Sequence, residues 1–396
     1  MGHKKAKVQN CDTNQELLPF WTQRKVCPLS AGAYIGIIQI ENLVSPVPGK
    51  ERMQMEKSMS RMLIETVVKK ALKSIRDDPE RGIRNLIDMA LQFSPEGRFQ
   101  KNFFTVAQAM LKNENSAYYK LVHDVAAHTD AERLFCFGMN VGYNGCTEGA
   151  ERIRANEVNM NCNIPWTLSL QADTRKFEDN FNRYDALIRD GESLGIYTWM
   201  LFALDKPQSV ISLAQMHSDS AFCIFCQAED LSAVFLDEVA DLYNVMLVVR
   251  YEETIDTCCA TLREMGLLYS VWYPYGQKDT ETILNGDLFS STQQFSPIFT
   301  VLVPEIDCPE EIRRLAYQAV KQAREAQTYR TLVWDIQGDN CLIDSIISGD
   351  ICSVYFDKNG DLRDHWDRKF EGKHNNMFKS CLSDILMCVC PKKNDG

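Results

Sequence analysis

Seven short apolar runs recur between Pro165 and Asp335. Each run is continuously apolar rather than alternating with polar residues, which is typical of strands covered on both faces by helices. Longer stretches with helical periodicity separate them. The runs are PWTLSL from Pro165, YTWMLFAL from Tyr197, AFCIFC from Ala221, VMLVVR from Val245, LLYSVWY from Leu267, IFTVLV from Ile298 and TLVWDI from Thr331.

The spacing of these runs predicts parallel pairing. They begin roughly 22–33 residues apart, the length of one strand and one returning helix. One Asn-Gly, at Asn285-Gly286, lies between the runs, but it is too far from either neighbour to close a two-residue hairpin. The predicted fold class is therefore α/β, a parallel (β/α) TIM-like barrel of about six to eight strands. We expect its functional site at the carboxyl ends of the strands, called here the barrel mouth.

The rest of the chain divides into further parts. Residues 1–50 form an N-terminal extension that ends in a Pro/Gly turn. Residues 51–130 place apolar side chains on one helical face and lysines on the other, which predicts an α-helical N-terminal region. The barrel is assigned to residues 131–340, and a C-terminal hairpin and helical tail to residues 341–396.

Two segments bear on strand count and on the tail. RLFCFGMNVG, from Arg133 to Gly142, is interpreted as an additional strand that would complete a full barrel. VYFDKNGDL predicts strand, turn and strand, because Asn359-Gly360 favours a two-residue turn. The stretch from Asn376 to Cys390 is predicted to be helical.

Composition narrows the function and the compartment. The formal net charge of −11 argues against a general nucleic-acid binder, which needs a basic face to meet phosphates. The polar start is unlike a signal peptide, and the most apolar early stretch, AGAYIGIIQI, is too short to span a bilayer. We expect a cytoplasmic protein without a membrane span. Its fifteen cysteines are interpreted as small buried hydrophobes rather than disulfides.

Five segments, in this order, resemble a bacterial group of radical S-adenosylmethionine (radical SAM) proteins: NIPWTLSLQAD, IRDGESLGIYTW, MHSDSAFCIF, PEIDCPEEIRRLAYQAVKQAREAQTYRTLVWDIQGDN and FDKNGDL. The resemblance is one of order and spacing, and it extends over about residues 58–385. It implies a radical SAM barrel with a helical N-terminal layer. It also implies a [4Fe–4S] cluster held by three cysteines spaced CxxxCxxC after the first strand, with SAM on the fourth iron.

The chain departs from this family where the cofactors would bind. After the first strand, Asp173 leads directly into TRKFEDNFNRYD, and no cysteine occurs between Cys162 and Cys223. The segment ALDKP stands where the family has a GGEP-like motif, so Lys206 replaces an acid that would meet the amino group of SAM. The family's cysteines around the C-terminal hairpin are also missing. We therefore expect neither cofactor.

Cys223 and Cys226 form a CxxC pair at the end of the third strand and are weak candidates for a metal site. Residues three apart in an extended strand point to opposite faces, so the pair would need a bend to hold one ion. No metal is expected.

Polar residues at the ends of the predicted strands form the candidate site at the barrel mouth. Arg250 is a candidate for binding a carboxylate or phosphate, or it pairs with Glu252 or Asp173. Tyr273, within WYPYG, offers aromatic surface for a planar ligand, or lines the barrel. The ligand-binding candidates are Asp173, Asp205, Lys206, Arg250, Glu252, Tyr273, Glu305 and Asp335.

These observations give one main hypothesis and two alternatives. The main hypothesis is a radical SAM-like barrel protein that has lost its [4Fe–4S]/SAM site and acts as a pseudoenzyme, binding a small molecule or a protein or peptide partner at the barrel mouth. The first alternative is an active radical SAM enzyme with displaced cysteines, and it alone requires SAM and the cluster. The second is cluster-free acid/base chemistry with Arg250, Glu252 and Asp173.

Overall fold

The computed structural model describes residues 49–93 and 99–392. The chain separates into two compact units, Met1–Ser60 and Arg61–Gly396. Apart from Gly49 and Lys50, the N-terminal extension predicted at residues 1–50 lies outside the described residues.

The second unit is built around one nine-stranded sheet. All seven apolar runs of the sequence form strands, which confirms that prediction. Strands β1 to β7 pair in parallel with their neighbours in sequence order, and β8 pairs in parallel with the other edge of β1. The strands are β1 Thr167–Ala172, β2 Thr198–Ala203, β3 Ala221–Cys226, β4 Val245–Arg250, β5 Tyr269–Tyr275, β6 Phe299–Pro304, β7 Leu332–Asp335, β8 Val354–Phe356 and β9 Leu362–Asp364.

Helices precede the sheet and connect its strands. A π-helix, Asn140–Gly149, separates α5 from α6. Across the described ranges, no helix is both long and apolar enough to cross a membrane. The α-helices are α1 Gly49–Asp77, α2 Pro79–Phe93, α3 Phe99–Met110, α4 Ala117–His128, α5 Ala131–Met139, α6 Ala150–Met160, α7 Thr174–Asp179, α8 Phe181–Leu194, α9 Gln208–Met216, α10 Ala233–Ala240, α11 Ile255–Glu264, α12 Thr280–Leu284, α13 Asp287–Thr292, α14 Glu310–Ala326, α15 Ile336–Ser348 and α16 Leu382–Val389.

The sheet curls into a half-barrel and stays open, so the α/β class is confirmed and a closed TIM-like barrel is wrong. Strand β7 remains an edge of the sheet, and β9 is the other edge. The β8–β9 hairpin extends the sheet beyond β1, so the outer edge of β8 is already paired. Helix α15 leads from β7 to β8 and contacts β6, β7 and α6. Near its end, the Asp344 carboxylate accepts a hydrogen bond of 2.8 Å from the backbone N–H of Trp166, just before β1. Helix α15 therefore links the β7 edge of the sheet to the segment ahead of β1, and β9 rather than β1 forms the opposite edge.

The additional strand predicted from Arg133 to Gly142 is wrong, because this stretch is α5 followed by the start of the π-helix. Asp130 begins α5 by accepting a hydrogen bond of 3.0 Å from the backbone N–H of Arg133. Apolar residues occur on several faces of α5 because the helix is packed on several sides. Phe137, for example, packs against the concave face of the sheet. Continuous apolarity does not distinguish a buried helix from a buried strand.

Helix α5 and the π-helix cover the amino ends of the strands. Arg133 donates to the carbonyl oxygen of Ala240 at 2.8 Å, where α10 ends ahead of β4. Asn140 donates to the carbonyl oxygen of Ser218 at 2.8 Å, ahead of β3. These contacts close the half-barrel at the end opposite the barrel mouth.

The C-terminal segment contains the predicted strand–turn–strand, since β8 and β9 pair in antiparallel fashion. The two-residue turn predicted at Asn359-Gly360 is wrong, because Phe356 pairs with Leu362 and the Asp357 carboxylate accepts the backbone N–H groups of Asn359 and Asp361 within a longer turn. The tail is helical only over α16. The expectation that disulfides are absent is wrong: Cys352 and Cys390 form a disulfide with a Cα–Cα distance of 6.0 Å. The backbone N–H of Asn163, shortly before β1, donates to the carbonyl oxygen of Cys390 at 2.7 Å. This hydrogen bond holds the C-terminal tail close to the start of β1. A separation of 38 residues gave no sequence signal for this pairing.

His217, buried at the end of α9, lies between two carboxylates of α8. Its Nδ1 is 3.1 Å from Glu192 Oε2 and its Nε2 is 3.1 Å from Asp185 Oδ1. Both ring nitrogens donate only when the imidazole is protonated. Burial lowers the pKa of His217, but Glu192 and Asp185 outweigh burial and leave the pKa raised. The charged ring therefore joins the two helices.

We expect His217 to stabilise the fold more at acidic than at alkaline pH. Because its pKa is raised by folding, its contribution is complete below the unfolded-state pKa of about 6.5 and is lost as the pH rises through the folded-state pKa. His217→Gln should cost about 3 kcal/mol of unfolding free energy at about pH 5.5 and less at about pH 9. Urea unfolding measures both values, with the exposed His374→Gln as control. An equal loss at the two pH values would contradict the prediction.

Candidate functional site

The two faces of the sheet divide the predicted candidates. Alternate residues of a strand point to opposite faces. Arg250 shares its parity with Val248, which is buried in the concave cluster. Tyr273 and Tyr275 instead pack with the outer cluster beneath α12 to α14, and Asp335 is hydrogen-bonded to Tyr275. The residues predicted as one site at the barrel mouth are therefore separated by the sheet.

The concave face is filled by apolar side chains. Helix α5 contributes Leu134 and Phe137, and α15 contributes Ile336. The rings of Phe202 and Phe225 stack with centroids 4.2 Å apart. The interior of the half-barrel is thus a packed core. Its buried members are Met200, Cys223, Phe225, Met246, Val248, Leu268 and Val301.

At the carboxyl end of this face, Arg250 lies over Trp272. The guanidinium carbon is 5.6 Å from the ring centroid, and the two residues are register partners on β4 and β5. The indole N–H of Trp272 donates to the carbonyl oxygen of Cys226 at 3.1 Å. The ring also lies edge-on to Phe202 and Phe225, at 6.2 Å from each. The fixed indole therefore positions the arginine.

Arg250 forms no ion pair with any residue in the described part of the chain. Both acids proposed as its partners are engaged elsewhere. Glu252 Oε1 accepts the backbone N–H of Ala228 at 3.1 Å, and Asp173 Oδ1 accepts that of Lys176 at 3.1 Å. A half-buried cation without an anionic partner can take an anionic ligand through two parallel hydrogen bonds.

The connection from β1 to α7 consists of Asp173 alone. Its side chain caps α7. Next to it, Asp205 Oδ1 accepts hydrogen bonds from the backbone N–H of Thr174 at 3.0 Å and from its hydroxyl at 2.6 Å. Burial raises the pKa of Asp205, but hydrogen bonds from Thr174 and from the backbone of Lys206 outweigh burial and lower it. This corner is closed by hydrogen bonds and contains no loop.

The thiols of the sheet do not fit a cluster either. Cys223 faces the concave cluster, whereas Cys226 lies on the opposite face of β3, in the main core with Phe222 and Ile224, so the two cannot hold one ion together. Burial raises the pKa of Cys223 to about 12 and that of Cys226 well above its usual value, which disfavours the metal-binding thiolate. Among the described residues, no group of three or more His, Cys, Asp and Glu side chains is placed to hold a metal ion. The thiols of β3, as the structure describes them, therefore do not converge as ligands of a [4Fe–4S] cluster.

Asp335 anchors a buried polar network on the outer face. Its carboxylate caps α15 by accepting the backbone N–H of Gly338 at 2.6 Å, and it accepts the hydroxyl of Tyr275 at 3.1 Å. Its own N–H donates to Asp339, which is paired with Arg324 at 2.7 Å. Burial raises the pKa of Asp335 to about 7 against the effect of these hydrogen bonds. In this geometry Asp335 fixes the first turn of α15.

Tyr273 and Glu305 also have partners within the fold. The hydroxyl of Tyr273 donates to Asp279 at 2.8 Å, and Asp279 accepts the backbone N–H of Gly276 at 2.9 Å. Burial, followed by the hydrogen bond to Asp279, raises the pKa of Tyr273 to about 12. Glu305 lies 3.8 Å from Lys278. These contacts hold the segment after β5 and do not converge on a common point.

Sequence reasoning missed Arg313, which is 8% exposed on α14. Its guanidinium donates to the carbonyl oxygens of Cys308 at 3.0 Å and Glu305 at 3.1 Å, in the segment after β6. It also donates to the carbonyl oxygen of His365 at 2.7 Å and lies 4.7 Å from the ring centroid of Trp366. Arg313 thus joins the end of β6 to the C-terminal hairpin. Its position within the apolar stripe of α14 was the signal that could have found it.

A cleft of about 400 Å³ lies at the opposite end of the sheet from the barrel mouth. Helix α4, the start of α2 and the segments leading into β6 and β7 form it. No sequence motif pointed to this α4 cleft. Its lining residues are Pro79, Glu80, Tyr119, Lys120, Leu121, His123, Asp124, Ser296 and Arg330.

Comparisons with known proteins give a low structural similarity. No family model and no curated protein matches the chain. The crystal structure of SuiB from Streptococcus suis is 10% identical over 61% of this chain and 70% of that chain, with a TM-score of 0.41. SuiB structures bound to S-adenosylmethionine and to the precursor peptide SuiA are each 11% identical over 61% of this chain and 68% and 69% of theirs, also with TM-scores of 0.41. One of these structures contains the cofactor that the radical SAM resemblance implies, but this similarity does not establish a family.

We expect Asp335 to make the stability of the fold depend on pH. Its folded-state pKa of about 7 lies above the ordinary value of 3.8, so its contribution is complete below that ordinary value and is lost as the pH rises through about 7. Asp335→Asn keeps an oxygen to cap α15 but cannot ionise. Relative to this variant, the wild type should lose on the order of a few kcal/mol of unfolding free energy between about pH 4.5 and pH 8.

Chemical denaturation of both proteins at the two pH values measures this difference. The exposed Asp237→Asn serves as the matched control and should follow the wild type. Parallel pH dependence in the wild type and Asp335→Asn would show that Asp335 does not titrate in this range.

Proposed function

We propose that this protein is a radical SAM-like half-barrel that lacks the cluster and binds a partner at the barrel mouth. The observation that carries the proposal is the single-residue connection at Asp173 between β1 and α7. In the family that the sequence resembles, a loop with three cysteines stands at this place. Here the corner is occupied by the α7 cap and by the hydrogen bonds between Thr174 and Asp205.

Arg250 is the centre of the proposed binding surface. Its guanidinium is unpaired within the described residues, half-buried and positioned by Trp272. Leu204 and Ile306, which are 43% and 69% exposed, follow β2 and β6 at the same edge of the sheet. A cation beside exposed apolar side chains suits a partner that presents a carboxylate next to apolar groups.

The packed interior favours a protein or peptide partner over a small molecule. The stacked rings of Phe202 and Phe225 and the edge of Trp272 fill the space beneath Arg250. A partner would therefore rest on the barrel mouth rather than enter the half-barrel. An acidic peptide segment, which makes its contacts along a surface, has the matching shape and charge.

No observation favours either enzymatic alternative. Acid/base chemistry would need Glu252 and Asp173 to be free, but each accepts a backbone N–H. A cluster with displaced cysteines would need thiolates that converge, and Cys223 and Cys226 lie on opposite faces of β3.

We expect no cluster after anaerobic reconstitution with iron and sulfide. Iron and sulfide content, measured together with reductive cleavage of SAM, tests this. About four irons per chain together with SAM cleavage would overturn the proposal, because this is the content of one cubane cluster. Cys223→Ser and Cys226→Ser variants would then identify whether the CxxC pair binds the iron.

Acidic peptides should bind the barrel mouth through Arg250. Arrays of acidic peptides and their amide counterparts, followed by titration of the best binder, give the affinities. Arg250→Ala should weaken acidic-peptide binding about tenfold or more, because a hydrogen bond to a charged group is lost. Arg183→Ala, an exposed arginine on α8, is the matched control. Equal affinity for acidic and amide peptides would overturn an anionic partner at this surface.

A further inference from the structure

The α4 cleft carries an excess of basic side chains. Lys120 and His123 are three residues apart on α4 and therefore share one face, and Arg330 stands just before β7. In the described part of the chain, none of these three side chains forms an ion pair or hydrogen bond. The acids that line the cleft are Glu80 and Asp124.

Both acids of the cleft already have arginine partners. Glu80 lies 4.0 Å from Arg84, one turn along α2. Asp124 Oδ2 accepts from Arg263 Nη1 at 2.6 Å, and its Oδ1 accepts from Nη2 of the same guanidinium. Burial raises the pKa of Asp124, but Arg263 outweighs burial and leaves the pKa lowered. Asp124 is thus paired with Arg263, and the charge of Arg330 also lowers its pKa. With Arg84 and Arg263 beside the two acids, Lys120 and Arg330 leave the cleft with an excess of positive charge.

The size and walls of the cleft suit a small organic molecule. Its volume of about 400 Å³ falls within the usual range of small-molecule sites. Pro79, Tyr119 and Leu121 supply apolar wall, and Ser296 supplies a polar group. The protein as a whole carries a net charge of −11. A local excess of positive charge at this cleft therefore stands out from the rest of the chain and would attract an anion.

We propose that the α4 cleft binds a phosphate monoester of a small organic molecule. The side chains of Lys120 and Arg330 can both donate to a phosphate dianion, and His123 supplies a further ring N–H donor. The organic part would rest against Leu121 and Tyr119. The site is separate from the barrel mouth, because it lies at the amino ends of the strands and contains none of the residues around Arg250.

Calorimetric titration of the full chain with glucose 6-phosphate, inorganic phosphate and glucose tests the proposal. Glucose 6-phosphate should bind more tightly than inorganic phosphate, and glucose should not bind. A Lys120→Ala, Arg330→Ala double variant should weaken glucose 6-phosphate binding at least about tenfold, because charge-assisted hydrogen bonds are lost. Lys358→Ala, an exposed lysine at the tip of the C-terminal hairpin, should leave binding unchanged.

A second readout reports on the site itself. Phosphate bound beside His123 changes the surroundings of its imidazole, so the NMR signals of this ring should shift when glucose 6-phosphate is added, and not in the double variant. All three basic side chains are exposed, so the melting temperature should not change on substitution. The proposal is overturned by absence of glucose 6-phosphate binding up to about 10 mM, by unchanged affinity in the double variant, or by inorganic phosphate binding as tightly as the ester.

Discussion

The half-barrel depends on α15, which leads from β7 at one edge of the sheet to β8, the strand paired with the far side of β1. Asp335 fixes the start of the helix, and Asp344 ties its last turns to the backbone of Trp166 ahead of β1. Burial raises the pKa of Asp344 well above its usual value, which favours the uncharged form in the interior. One helix thereby joins both ends of the parallel sheet.

The helices that cover the half-barrel also determine which part of its surface is open to a ligand or partner. With α5 covering the amino ends of the strands and α15 the open side, the concave face is a core rather than a channel. Arg250 and Trp272 stand at the one end that these helices leave uncovered. Most other polar residues near the strand ends are used to hold loops and helices, as Asp173 holds α7 and Asp279 holds the segment after β5.

Strands β1 to β7 were predictable because each lies in a continuous apolar run. The β8–β9 pair was predictable as strand, turn and strand, but not the length of its turn, which the Asp357 side chain organises. The open barrel was not predictable, because it depends on β8 pairing with the edge of β1, a contact between segments far apart in sequence. The stretch from Arg133 to Gly142 was wrongly predicted as a strand, because a helix packed on several sides is as apolar as a buried strand. At the barrel mouth, sequence located Arg250 at a strand end but gave no sign that Trp272 positions it. Tyr275 and Asp335 could not be assigned to the outer face without knowing how each strand is oriented.

The single residue between β1 and α7 also bears on how well the half-barrel would tolerate an insertion. The entropy of closing a loop grows slowly with its length, by about 0.6 kcal/mol for each doubling. A longer segment inserted at Asp173 would therefore cost the half-barrel little beyond the cap of α7. The stability of the fold therefore does not require the corner to be short. A cysteine-bearing segment grafted at this corner would show whether the half-barrel can hold a cluster there without loss of the fold.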